Sequence, residues 1–173
     1  MKPRCLVGFS LVELIVTLVV AMLLITVGVP SMKSLYEGIR VQNIIDTIES
    51  SFVLARNQAV NYGSRVSICP LKGNNCSGNW IDGFSVFIDN GVAGTIDTTS
   101  GITDTVITVV SGFNDDDFIK SDLNIFSFNA DGLVAASGLI RYCPGSKTNP
   151  DSKAAEIGSA GKVKLIETGI NCN

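Results

Sequence analysis

The side chains with which this chain could do chemistry are unevenly placed: five cysteines, aspartates crowded in the middle, lysines near the end, and no histidine anywhere. Without histidine there is no Ser-His or Cys-His pair to activate a nucleophile, and no imidazole for a metal. Gly161-Lys162 approaches a phosphate loop but lacks both the following Ser/Thr and the leading glycine. The chain is therefore not read as an enzyme, and no cofactor or small-molecule substrate is expected.

Residues 82–131 hold nine aspartates against one lysine, Lys120. Asp89, Asp97, Asp104 and Asp115 to Asp117 offer oxygen ligands, but no D-x-[DN]-x-[DN]-G loop closes with a glutamate. Aspartate is favoured in turns for its backbone hydrogen bonds alone, so no metal site is assigned. Setting aside Cys5, the cysteines are Cys69, Cys76, Cys143 and Cys172, an even set without the close spacing of a zinc site. That set suits disulfides in an oxidising compartment. Four cysteines allow three pairings, and spacing does not choose among them. The expected pairs are Cys69 with Cys76 across a local loop and Cys143 with Cys172 across the tail. The second would close a loop of about 30 residues, worth roughly 3–4 kcal/mol in the chain-entropy model. Residues 141–173 hold five Lys/Arg against Asp151, Glu156 and Glu167, a locally basic tail in a chain of net charge -3.

These residues need elements to position them. At 173 residues and 46% hydrophobic, the chain supports one folded head plus an appendage. The appendage is N-terminal. Residues 14–29 carry no charge, and extension back to Phe9 gives membrane-spanning length. A secretory signal would place a small-residue cleavage site after this run, and none precedes the polar turn at Ser31. Cys5 has no apolar segment ahead of it, as a lipoprotein would require. The cleavage-like feature lies before the run instead: MKPRCLVG, carrying Lys2 and Arg4, then FSLVEL. Beyond Pro30 the helix is expected to continue, with Gly28 and Pro30 softening or kinking it. Val41, Ile45, Ile48, Phe52, Ala55 and Ala59 then recur at helical spacing, with Arg40, Asp46, Glu49 and Arg56 off that face. Asn61-Tyr62-Gly63 should end the helix. Afterwards the period becomes two, with strands expected at 65–69, 84–88, 106–110, 125–128, 139–142 and 162–166.

The stretch Gly8-Phe9-Ser10-Leu11-Val12-Glu13-Leu14 resembles the processing site of type IV prepilins. The resemblance implies cutting by prepilin peptidase after Gly8 and methylation of the new amine on Phe9. Glu13 falls at the fifth mature position and Pro30 at the twenty-second, both familiar in that family. A carboxylate in the apolar span costs about 2.5–3.5 kcal/mol or more unless paired. The resemblance supplies the partner, since Glu13 would meet the Phe9 amine of a neighbouring subunit during assembly. Lys2 and Arg4 hold the leader on the cytoplasmic side, so the head faces the periplasm.

The sequence V-S-I-C-P, then Cys76, then N-W-I-D-G-F-S-V-F-I-D is similar to the GspH/FimT group of minor pilins and pseudopilins. Trp80, Phe84 and Phe87 in that stretch read as core aromatics. The group implies an α+β, pilin-like fold: a long N-terminal helix packed on an antiparallel β-sheet head. The segments would be leader 1–8, membrane and filament-core helix 9–30, amphipathic continuation 31–62 and periplasmic head 63–173. The function implied is a minor pilin of a type IV pilus, with other pilins, prepilin peptidase and the inner membrane as partners. A type II secretion pseudopilin is the alternative machine. Some members bind DNA through a C-terminal G-R-x-R motif, and Gly161-Lys162-Val163-Lys164 keeps its spacing with lysine for arginine. Lys162 and Lys164 would project together, extended by Arg141, Lys147 and Lys153, while Val163 and Leu165 face the core. An ammonium lacks the planar fork of a guanidinium, so any such binding would be weak and electrostatic. The competing account is a solvated strand edge blunted by lysine.

Overall fold

The computed structural model describes residues 9–98, 101 and 103–173. The leader, with Cys5 and Gly8, lies outside the described residues. Contacts divide the chain into two compact units, 1–38 and 39–173. A single helix, α1 (Leu11–Tyr62), supplies the helical residues of both. Ser10 starts it, its hydroxyl accepting the Glu13 N–H at 3.2 Å while its carbonyl accepts that of Leu14. The helix is assigned without interruption through Gly28 and Pro30. Proline at position 30 removes one backbone donor, and the surrounding apolar residues retain theirs. The helix ends as its sequence indicates. Gly63 takes a φ of 61°, and the N–H of Ser64 reaches back to the Ala59 carbonyl at 3.3 Å.

In the second unit α1 contributes one buried face. Val41, Ile45, Ile48, Phe52, Ala55 and Ala59 are all essentially inaccessible, in agreement with the periodicity. The strands that receive this face form two antiparallel sheets. In chain order they are β1 (Val66–Cys69), β2 (Phe84–Ile88), β3 (Thr105–Val110), β4 (Phe118–Ser121), β5 (Phe126–Phe128), β6 (Gly138–Cys143), β7 (Lys153–Ile157) and β8 (Val163–Ile166). The first sheet runs β3-β2-β1-β5 and the second β4-β6-β7-β8. One core joins them: Phe52 meets Phe126 at 5.1 Å between ring centroids, and Ile68, Ile140, Ala155 and Ile157 complete the same cluster. Trp80, in a 3-10 turn before β2, packs edge-on to Phe126 and donates its indole N–H to the Leu123 carbonyl at 3.2 Å. Burying the indole N–H with a partner is what such a residue requires.

The other face of the first sheet is also covered, through polar side chains. Ser67 and Ser127 share a hydrogen bond at 2.9 Å, and Ser67 donates to Asp89 at 2.6 Å. Asp89, at the end of β2, also takes Arg65 at 2.7 Å and the Gly94 N–H at 2.9 Å. The aspartate closing this apolar strand thus pins the following loop, to which Cys76 is attached through the Gly94 carbonyl. Asp104 accepts the N–H groups of Asn90 and Asp97, and Asp97 accepts that of Val92. The loop aspartates are turned onto backbone donors, satisfying groups that would otherwise be stranded.

Candidate functional site

Two regions carry the candidate residues. In the first unit the described side chains of the apolar stretch are exposed, with Leu11 at 75% and Val29 at 61%. The helix is long and apolar enough to cross a membrane, and among the described residues nothing buries its most apolar window. Glu13 is the only charged residue from Phe9 to Met32. Thr17 and Thr26 return their hydroxyls to the carbonyls of Leu14 and Leu23, at 2.8 and 2.9 Å. Those polar groups are thereby satisfied without water, as hydrocarbon demands. Glu13 has no comparable internal partner among the described residues, so it needs an external cation or water. Phe9, four residues earlier, is 81% exposed.

The second region is the strand β8 and its surroundings. Lys162 and Lys164 are exposed, while Val163 and Leu165 pack on the core. The expected alternation holds. Neither lysine has an acidic group within ion-pair distance among the described residues. Yet register places Glu156 directly beside Lys164 on the same face. Arg141 lies on that outer face too, in the row Lys120, Arg141, Ala154, Ile166. Two strands and two residues separate it from Lys164, roughly 12 Å by ordinary sheet spacing. Its guanidinium donates to Asp122 at 2.6 Å, and that hydrogen bond holds the Asp122 carboxyl below its usual range. Lys153 is engaged with Glu167 at 3.6 Å and with Gln42. Lys147 sits 5.7 Å over the Phe118 ring. Arg141, Lys147 and Lys153 thus each have a contact of their own within the head.

A cation that periodicity did not single out stands nearer. Arg56, on α1, donates its Nε–H to the Gly132 carbonyl at 3.2 Å. Gly161, with a φ of 71°, lies against that same corner. A Cβ there would stand 2.2 Å from the Gly132 oxygen and 3.0 Å from Arg56 Nε. Glycine at 161 is thus demanded by close backbone approach. Arg56 thus stands beside the residue that precedes Lys162.

The tail is tied down at several points. The structure pairs Cys69 with Cys76 and Cys143 with Cys172, with Cα separations of 5.4 and 6.3 Å. Cys172 N–H donates to the Lys147 carbonyl at 2.8 Å, and the Lys120 ammonium donates to the Asn173 carbonyl. Next to Cys143 lies a buried hub. Asp117 accepts from Arg40 at 2.7 Å, from the Tyr142 hydroxyl, and from the Gly145 N–H at 2.9 Å. Burial and the bond to Asp117 push the Tyr142 hydroxyl well above its ordinary pKa. No sequence signal marked Asp117 apart from its neighbours Asp115 and Asp116, which are exposed.

The family model described as Type II transport protein GspH matches residues 45–161. Among solved structures, the type IV minor pilin FimU of Pseudomonas aeruginosa is similar over 77% of this chain and 95% of its own, at 20% identity and a TM-score of 0.60. The minor pseudopilin EpsH from the type 2 secretion system of Vibrio cholerae is similar over 74% and 97%, at 8% identity and a TM-score of 0.51. No curated protein matches the sequence.

Proposed function

The chain belongs to the family of Type II transport protein GspH, and from that premise we propose that it is a minor pilin of a type IV pilus. The observation that carries the reading is the apolar stretch from Leu11 to Val29: its described side chains are exposed, and its one charge is Glu13, four residues after Phe9. Such a surface is stable in a bilayer or among like helices, not in water. Prepilin peptidase would cut after Gly8, and the Phe9 amine, methylated, would supply the cation that Glu13 of a neighbouring subunit lacks. The head would stand on the periplasmic side of the inner membrane and travel with the filament. N-terminal mass spectrometry of membrane and sheared-filament fractions tests this. A mature chain beginning at Phe9 with a methylated amine is expected; a chain beginning at Met1 refutes the reading, and Gly8 substitution should leave the precursor uncut. The Cys143–Cys172 bridge favours a pilus over a secretion pseudopilin, because a disulfide-closed tail is more usual in the pilus subunits this chain resembles.

A second reading is DNA binding at the tail, favoured by Lys162 and Lys164 being exposed without an ion-pair partner and by Arg56 standing beside Gly161. With three such cations the log–log salt slope would be about -2 to -3, on the estimate of about 0.9 per phosphate contact. A fluorescence titration with duplex DNA at low salt decides it. Binding should fall on Lys162→Ala with Lys164→Ala and stay unchanged on Arg141→Ala, whose charge Asp122 already offsets. Absence of binding at high protein concentration removes this reading.

A further inference from the structure

Among the described residues, the outer edge of β3 is the one strand edge of the second unit that nothing manages. The other three are each dealt with in a recognisable way. The β5 edge is capped by the bridge from Phe128 to Val134 and by the Ala135 N–H on the Ser127 carbonyl. The β4 edge is covered by the tail, where the Cys172 sulfur lies 3.7 Å from the Phe118 carbonyl. The β8 edge carries the exposed ammonium of Lys164, a charge that discourages pairing. On β3, no hydrogen bond among the described residues reaches 105–110 from outside its ladder with β2.

The composition of that strand sharpens the point. Its six residues, T-V-I-T-V-V, are all β-branched, with no charge and no proline. Val106 and Val109 are 42% and 62% exposed. A bulge in the ladder near Val86 and Phe87 adds twist but no charge. Such a segment is a ready template for another strand.

Charge around the edge selects the occupant. Exposed Asp82 shares a shallow recess of about 100 Å³ with Val109 and Val110. Exposed Asp115 and Asp116 follow the strand, half-buried Asp97 and buried Asp104, whose carboxylates also hold backbone N–H groups, stand before it, and no cation pairs with any of these five among the described residues. A second copy pairing antiparallel would bring the acidic start of one strand against the acidic end of the other, and parallel pairing would match like ends. Like charges so placed oppose association. We propose that the β3 edge accepts an added strand from a different subunit, an extended segment with an uncharged β-branched centre and lysine or arginine at its ends. Main-chain hydrogen bonds would supply affinity and the flanking aspartates would set specificity. The proposal takes from the filament reading only the source of the strand.

The test uses the mature full chain in detergent micelles and two synthetic peptides sharing a Val-Thr-Val-Thr-Val-Thr centre, one ended by Lys-Lys and the other by Glu-Glu. Hydrogen exchange should show new protection at 105–110 with the lysine-ended peptide. Anisotropy should show it binding roughly tenfold more tightly than its counterpart. Asp115→Lys with Asp116→Lys should narrow or reverse that preference. Val109→Asp, checked for folding by circular dichroism, should remove the protection. The proposal is overturned if neither peptide protects 105–110, if both bind equally, or if ultracentrifugation shows the chain pairing with itself through this edge. N-terminal masses, which decide the filament reading, do not bear on any of these outcomes.

Discussion

Asp117→Ala removes a carboxylate whose side chain is fully inaccessible and on which α1, β6 and the turn after Cys143 converge. Three donors lose this acceptor at once: Arg40, which keeps a further contact, the Tyr142 hydroxyl and the Gly145 N–H. Breaking a buried ion pair costs about 3–5 kcal/mol, and a buried hydroxyl without a partner about 1–3 more. The Arg40 side chain is 18% exposed and can relax toward water, which lowers the first figure. A loss of about 4 kcal/mol follows, a large share of the roughly 5–15 kcal/mol that holds such a domain together. For a head of this size that corresponds to a fall in Tm of about 12–16 °C. Urea unfolding of a soluble fragment beginning at Ser31, followed by tryptophan fluorescence of Trp80, measures it. Asp117→Asn, which keeps the shape and loses the charge, should fall between wild type and Ala. The double change Arg40→Met with Asp117→Leu should recover much of the loss, since an apolar pair can replace a buried ionic one. A loss below about 1 kcal/mol for Asp117→Ala would show that the hub does not hold the sheet to the helix, and the reasoning would fail.

Glu13→Ala should leave membrane insertion intact, because removing a charge from the apolar span relieves about 2.5–3.5 kcal/mol, yet impair entry into filaments. Normal filament incorporation would refute the pairing with a neighbouring amine. Free-thiol labelling of unreduced, denatured head should find no reactive cysteine at 69, 76, 143 or 172. Replacing Cys143 and Cys172 by serine should cost about 3.6 kcal/mol against about 2.5 for Cys69 and Cys76, by loop length in the chain-entropy model; equal losses in urea would contradict the ordering. Tyr142 has a folded pKa raised above its unfolded value near 10.0, so its stabilising contribution is complete below that pH and declines as pH rises beyond it. Tyr142→Phe should make the alkaline fall in stability shallower, and an unchanged fall would mean that other groups cause it.

The periodic parts of the sequence were legible because their signals are local. The face of Val41, Ile45, Ile48, Phe52, Ala55 and Ala59 needed only helical spacing, and Gly63 needed only its freedom to take positive φ. The strand at 84–88 was read with the boundaries it has, since a short run rich in aromatic and β-branched residues lies between Gly83 and Asp89. Two strands escaped. β4 is four residues long behind a run of aspartates, and β7 reads K-A-A-E-I, with alanines that have little preference for a sheet. Ala154 and Ala155 are buried on opposite faces because of what packs on them, which is a property of the fold. The division into two sheets was likewise not in the sequence, because period two tells which residues share a face and not which strand lies beside which.

The sequence by itself determined what this protein is made of: an apolar helix with a lone carboxylate at Glu13, a helix face for a core, and a β-rich head. Spacing along one segment suffices for each of those. Only the tertiary structure decided which charges remain available. Asp117 holds Arg40 across 77 positions of chain, Asp89 holds Arg65 across 24, and Asp122 takes Arg141 out of the basic tail across 19. An ion pair falls off over a few ångströms of space, and chain separation carries no information about that distance until the strands are in register.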